Sequence, residues 1–292
     1  MKTAFAEEKM QPLDDQIKNE LNRRIAKIGE NLGDMDVMSI IGAIEYGVDH
    51  GVRDALELKA RKKPGIAIVL ETLGGLIDVV ERIVQTIRHF YTEVVVIVPN
   101  TAMSAGTLLA LSADRVLMDY FSRLGPIDPQ ISKDGKLVPA LSYLNQYEKL
   151  NKKAASGELT TAEYAMLKQL DLGELYQFER AKELSVELLV KWLSQYKFKN
   201  WKRTQSAKQK VSEEMKQDRA DKIARMLSDP ERWHSHGRGI DIFTLRKELH
   251  LQIEDFSEKE ELRESISHYF ALLANYVARQ QMTIFVHTEE FF

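Results

Sequence analysis

The sequence predicts an α/β fold built on a largely parallel sheet, and two observations carry that reading. The first is a pair of near-continuous apolar runs, "IAIVLET" at 66–72 and "EVVVIV" at 93–98, dense in β-branched residues. A strand reads this way when both faces of its sheet are covered. The second is the alternation around them: each run is followed by a short turn and then by a segment of helical period. Strands and helices alternating through short loops specify βαβ units, and so parallel strands.

Taken in order, residues 13–30 place Leu13, Ile17, Leu21, Ile25 and Ile28 on one helical face, with Gly29 and Gly33 as its stop signals. "MDVMSIIGAI" at 35–44 reads as a short apolar strand. A helix over about 49–62 follows and stops at Pro64-Gly65, a turn pair. The 66–72 strand leads through the glycine turn "LGG" into the helical "LIDVVERIVQTIRHF". The 93–98 strand leads through "NTAMSAGTLLALSA", turn plus helix, into a third strand "DRVLMD" at 114–119.

Beyond about residue 140 the strand signals stop. Residues 141–153, 160–170 and 176–199 read as helices, the last with Phe178, Ala181, Leu184, Leu188, Trp192 and Tyr196 on one face. Residues 200–228 read as a very polar helix, with Val211, Met215, Ile223, Met226 and Leu227 its few apolar points. That pattern describes either a solvated surface helix or an extended arm facing a partner. The organisation expected is an N-terminal helix over 1–34, a core over 35–140, and a mostly helical region over 141–292 that completes the core and carries the 200–228 arm.

The composition narrows the function. The 292 residues hold 41 Lys and Arg against 44 Asp and Glu, a net charge of -3. This does not indicate the basic face of a nucleic-acid binder, although it leaves room for a local patch. Cysteine is absent, which excludes disulfides, thiolate metal sites and cysteine nucleophiles. No secretory leader pattern and no apolar run of roughly 18 residues is present, so a soluble, cytoplasmic protein without an integral membrane segment is expected.

Two constellations can carry chemistry. Gly74 and Gly75 sit between a buried strand and a helix, where backbone N–H groups are exposed at a positive helix end. Donors so placed hold an anion or a developing oxyanion. Alternatively, the pair is a plain strand-to-helix turn. Ser104 follows the next strand, flanked by Ala102, Ala105 and Gly106. Ligands of open α/β sheets bind outside the carboxyl ends of strands, so the glycine turn and Ser104 are expected to face one crevice, with the Ala105 N–H as a second donor. The bland alternative for Ser104 alone is a helix N-cap.

"VLETLGGLIDVVERI" followed by "VVIVPNTAMSAGTLLALSADRVLMDYFSRLGPIDPQ" resembles the Clp-protease/crotonase superfamily, and within it the serine dehydrogenase proteinase family, relatives of signal peptide peptidase A. The resemblance runs over about 35–132 and includes "WHSHGRGI" at 233–240. It implies a ββα spiral with a mostly parallel sheet, assembly into homo-oligomers, a serine nucleophile at Ser104, and an oxyanion hole from Gly74 or Gly75 with Ala105. It also implies that the "GPIDPQ" loop, with Asp128, borders a substrate groove; Asp128 is otherwise structural.

The sequence departs from the Clp pattern where a histidine base is expected: no histidine lies between His89 and His234. A serine hydroxyl needs an activating base. The resemblance to signal peptide peptidase relatives implies a lysine, with Lys149, Lys152 and Lys153 at suitable distance; surface lysines are the alternative. The other candidates are His236 and His234, with Asp241 or Asp128 to orient the ring. That histidine pair reads alternatively as a turn packed on Trp233, and it lacks a third ligand at metal spacing. Arg238 suits a substrate carboxylate.

The function expected is therefore an ATP-independent serine peptidase acting on peptide or protein through a Ser104 acyl-enzyme, with His236 or a lysine as base, no metal, no cofactor and no nucleic acid. Neither a G-x-x-x-x-G-K-[ST] loop nor a G-x-G-x-x-G fingerprint is present. Two rivals stay open: a crotonase-like acyl-thioester enzyme using the same oxyanion hole, and an inactive scaffold of the same fold. A regulatory protein partner on the 200–228 arm is a further expectation.

Overall fold

A computed structural model describes residues 4–128, 130–133, 136–204, 208–235 and 237–292, and the side chains from Leu13 onward outside 129–139. The chain opens with α1 (Ala4–Asn31), β1 (Asp36–Gly42), α2 (Val48–Leu58), β2 (Gly65–Glu71), α3 (Ile77–Phe90) and β3 (Glu93–Ile97). It continues through β4 (Thr101–Ala102), α4 (Ala105–Leu111), β5 (Arg115–Met118), β6 (Arg123–Leu124) and the hairpin β7 (Gln130–Lys133) and β8 (Lys136–Pro139). Then come α5 (Ala140–Ser156), α6 (Thr161–Leu167), α7 (Leu172–Trp192), α8 (Glu213–Leu227), α9 (Pro230–Trp233), α10 (Ile242–Lys247), β9 (Glu254–Asp255), α11 (Glu260–Arg279) and β10 (Ile284–His287).

The main sheet has six strands in the order β10-β1-β2-β3-β5-β9. All pairs are parallel except β10 on β1, which is antiparallel. The fold is therefore the expected α/β arrangement with a mostly parallel sheet. Alternation along β2 explains its apolar run. Ile66, Ile68 and Leu70 pack on the α2, α3 and α4 side. Ala67 and Val69 face Leu21, Ile25 and Ile28 of α1 and Ile266, Tyr269 and Leu273 of α11. With successive side chains on opposite faces, a strand covered on both must be apolar at every position.

Two expectations fail here. Strands do not end near residue 140: β9 and β10, more than a hundred residues further on, form both edges of the sheet. Each is two to four residues long, and its partner is far away in sequence, so it leaves no local periodic signal. Residues 200–228 are not one solvated arm either. Among its described residues only Glu213–Leu227 is helical, and Ala220, Ile223, Ala224 and Leu227 are fully buried. Those four positions, spaced three or four apart, form a narrow stripe. Burying Ile223 and Leu227 contributes about 2 kcal/mol each. The stripe includes two alanines, which the density of charge around it conceals.

The parallel strands present their C-terminal ends on one edge. The loops after β1, β2, β3 and β5 all emerge there, and they carry residues 43–47, 72–76, 98–104 and 119–122. No helix among the described residues is long and apolar enough to cross a membrane.

Candidate active site

Ser104 stands between β4 and α4 with φ 50° and ψ -113°. Positive φ is uncommon for a residue with a Cβ, and a position in this sparsely populated region costs of order 1–3 kcal/mol. An ordinary N-cap has extended backbone and turns its oxygen to the N–H groups of the first helical turn. Ser104 does neither: its side chain makes no cap bond, and its Oγ donates to the backbone carbonyl of Asp128 at 3.0 Å. The helix-cap alternative for this serine is thus set aside by geometry. The sharp turn resembles the strained strand-to-helix elbow that presents serine nucleophiles in other α/β enzymes. In this state the residue is only 2 % exposed.

The glycine turn meets the serine directly. Gly74 has φ +110°, and a Cβ there would lie 3.0 Å from both the Ser104 Cβ and the Met103 carbonyl. Only glycine allows this approach without displacement. Gly75 is held against the loop after β1, where a Cβ would stand 2.1 Å from the Ile44 carbonyl. The Gly74 carbonyl accepts the Ile44 N–H at 2.9 Å, and the Leu76 N–H donates to the Ile44 carbonyl at 2.8 Å. The loops after β1, β2 and β3 thus lock into one edge.

Of the three amides expected to serve as donors, one is occupied. The Gly74 N–H donates to Thr72 Oγ1 at 3.0 Å. Among the described residues, neither the Gly75 nor the Ala105 N–H has a hydrogen-bond partner. Those two amides are the available pair, and the Gly74 alternative drops out. Thr72 is a residue that sequence reasoning missed. Its signal was the threonine two places before the glycine, since Thr hydroxyls close local turns of this kind. Thr107 is another: its hydroxyl lies 2.9 Å from the carbonyls of Ala102 and Gly125 and accepts the Gly125 N–H, tying the serine turn to the "GPID" loop.

Asp128 is buried beside this turn. Its Oδ1 accepts the Leu141 N–H at 3.0 Å, near the start of α5. The neighbouring Ile127 N–H donates to the Leu227 carbonyl, at the end of α8, at 2.9 Å. Ile127 and Asp128 together therefore tie the serine turn to α5 and α8.

Among the described residues, no candidate base is hydrogen-bonded to the serine hydroxyl. Lys149 is exposed and pairs with Glu231 at 3.4 Å. Lys153 pairs with Glu163 at 2.5 Å, and Lys152 is exposed. A lysine base works from a desolvated site, and Lys149, Lys152 and Lys153 are all exposed. His234 is exposed at the end of α9, with φ 61°, while Trp233 is buried and donates its Nε1–H to the Met226 carbonyl at 2.7 Å. His236 lies outside the described residues. Asp241 Oδ1 accepts the Thr244 N–H at 2.8 Å as the cap of α10, a bond that holds its pKa down, and among the described residues no histidine is bonded to Asp241. Arg238 is exposed on the same loop. The loop does border the serine's neighbourhood. Ile240 bridges Leu124, and β6 pairs with β4, two residues before Ser104.

Glu71, at the end of β2, has its pKa raised by burial, opposed by the Asn100 amide, which donates to its Oε1 at 2.9 Å. Strand alternation turns it to the α1 and α11 face with Ala67 and Val69, away from α4. It is no base for Ser104.

A family model described as "ClpP-like SDH-type serine proteinase" matches residues 44–198. Two uncharacterized proteins of Methanocaldococcus jannaschii are similar. MJ1495 is 32 % identical over 142 residues, covering 46 % of this chain and 47 % of its own length. MJ0137 is 36 % identical over 140 residues, covering 45 % and 47 %. The chain spans about half the length of the curated relatives it matches. Among solved structures, a mutant of the 1510-N membrane-bound stomatin-specific protease aligns at 23 % identity with a TM-score of 0.31, over 54 % of this chain and 83 % of that one. The family match covers more than half of the 292 residues and includes Gly74, Gly75 and the whole serine turn, and on it the chain belongs to the ClpP-like SDH-type serine proteinases.

Proposed function

We propose that this chain is a serine peptidase in which Ser104 attacks a peptide carbonyl without ATP hydrolysis. The observation that carries the reading is the turn itself: a serine at φ 50°, not capping its helix, packed on a glycine beside two unpartnered amides. Family membership supports the same chemistry at a coarser level.

On this reading Oγ gives its proton to a base and bonds to the carbonyl carbon. The carbonyl oxygen becomes an oxyanion held by the Gly75 and Ala105 N–H groups. One such donor is worth about 3–4 kcal/mol in comparable enzymes. The base returns the proton to the leaving amine, and water then hydrolyses the ester. The described state is closed, because Oγ is bonded to Asp128. Release of the Ser104 hydroxyl from the Asp128 carbonyl frees it for a base, His236 or Lys152.

The test is incubation with a fluorophosphonate followed by peptide mapping, on wild type, Ser104→Ala, His236→Ala and Lys152→Ala. Label is expected on Ser104 in the wild type, lost in Ser104→Ala and in one of the two base variants. An unlabelled Ser104 in folded wild-type protein rejects the peptidase reading and returns the crotonase-like and scaffold alternatives.

A further inference from the structure

A second site is built by the segment expected to be a plain polar helix. After α7 the chain doubles back on itself. Arg203 and Lys210 form an antiparallel bridge, flanked by the Thr204 N–H on the Gln209 carbonyl at 3.0 Å and the Val211 N–H on the Lys202 carbonyl at 3.1 Å. Lys199, Lys202, Arg203, Lys210 and Lys216 line a cleft of about 410 Å³ with Trp201 in its wall.

The charge in this cleft is only partly compensated, Glu213 being the acidic residue that lines it. Lys199 pairs with Asp114 at 2.5 Å and Lys216 with Glu213 at 2.8 Å. Among the described residues, no carboxylate stands within ion-pair distance of Lys202, Arg203 or Lys210. Like charges directly opposite across a bridge destabilise it, yet Arg203 faces Lys210. The chain as a whole carries a net charge of -3, so the concentration of cations is local. The first turn of α8, a 15-residue helix, lies against the same cleft through Lys216, and its N-terminal end adds positive potential.

The size selects the ligand. Small-molecule sites hold roughly 300–1,000 Å³, and this cleft falls within that range. Three unpaired cations suit more than one phosphate group. Trp201 is half-buried, held edge-on against Phe198 with ring centroids 5.8 Å apart, and lines the cleft. Aromatic faces stack nucleobases without regard to their identity.

We propose that this cleft binds a nucleoside polyphosphate, with the phosphates on Lys202, Arg203 and Lys210 and the base on Trp201. No Walker loop is present, and the lining residues account for binding alone. The site is independent of the chemistry at Ser104.

Calorimetric titration of the full chain with ATP tests it, beside inorganic tripolyphosphate and a single-stranded oligonucleotide. The variants are Arg203→Ala/Lys210→Ala and Trp201→Leu. The first pair is exposed, so its fold is expected to survive, with circular dichroism as control. Saturable ATP binding is expected, at least tenfold weaker in the double variant and weaker as salt rises. ATP is expected to bind more tightly than tripolyphosphate in wild type, and Trp201→Leu to remove that difference. Absence of ATP binding, or binding unchanged in the double variant, overturns the site. Equal affinity for tripolyphosphate overturns the base contact, and preference for the oligonucleotide overturns the ligand class.

Discussion

The Ser104 hydroxyl donates to the backbone carbonyl of Asp128 at 3.0 Å. Asp128 in turn caps the Leu141 N–H, and its neighbour Ile127 bonds the Leu227 carbonyl. One dipeptide therefore links the serine turn to α5 and to α8. The bond occupies the proton that Oγ must lose on the proposed reading. Its net worth is about 1 kcal/mol, so opening it is a minor cost beside a catalysed barrier.

The strain at Ser104 predicts an unusual order of stability. Ser104→Gly keeps the turn and relieves the positive φ. Ser104→Ala keeps the strain and loses the bond to Asp128. The glycine variant is expected to be more stable than the alanine variant by about 1 kcal/mol in urea unfolding. The reverse order rules out a strained turn.

Thr72 predicts a positioning effect. Thr72→Val preserves shape and leaves the Gly74 N–H without its acceptor, which costs about 1–3 kcal/mol in a buried site. The fluorophosphonate rate at Ser104 is expected to fall with it, and Thr72→Ser is expected to restore both. A Thr72→Val protein that labels at the wild-type rate removes Thr72 from the site.

Much of this site was legible because its parts are local. The strands 66–72 and 93–98, the glycine turn and the serine turn each lie within a short window whose periodicity and small residues carry the signal. Which amide stays free was not legible, since it depends on where the Thr72 hydroxyl points. The lysines on α5 illustrate the same limit: spacing placed them downstream, but only packing decides that Lys149 and Lys153 meet Glu231 and Glu163 at the surface. The basic cleft escaped for a different reason. Helical composition at 200–211 is compatible with a folded-back loop, and the bridge that brings Arg203 onto Lys210 has no sequence signature.

Asp114 predicts a large loss of stability. Burial alone raises its pKa, but Lys199, the Val94 amide and Arg88 outweigh burial and hold the carboxyl below its ordinary 3.8. Arg88 approaches at 2.8 Å and Lys199 at 2.5 Å. Asp114→Ala strips the partner from two cations, one of them largely buried, and is expected to cost about 3–5 kcal/mol in urea unfolding at pH 7. A depressed carboxylate contributes stability above its unfolded pKa and loses it as pH falls through the folded value. The wild type should therefore lose part of this advantage over Asp114→Ala below about pH 4. A cost under 1 kcal/mol at pH 7 contradicts the role given to the cluster.

His287 predicts a dependence on pH in a milder range. The ring is fully buried at the edge strand β10. Its Nε2 lies 2.9 Å from Asn22 Oδ1, and its Nδ1 lies 2.7 Å from the Tyr269 hydroxyl. Asn22 commits its amide hydrogen to the Glu289 carbonyl, so its oxygen faces the ring and Nε2 carries the proton. Nδ1 then accepts from Tyr269, and the neutral ring is fully bonded. Burial, with a smaller contribution from Lys18, pushes the pKa from 6.5 to about 4. The unfolded chain binds this proton more readily, so stability is complete above pH 6.5 and declines as pH falls toward 4. Between pH 6.5 and 5 the decline is expected to be about 2 kcal/mol, at about 1.4 kcal/mol per pH unit. Urea unfolding of the wild type and of His287→Gln over that window measures it. The variant should start lower at pH 7 and change less; equal slopes for the two proteins mean that His287 titrates normally and that the buried network is not closed as described.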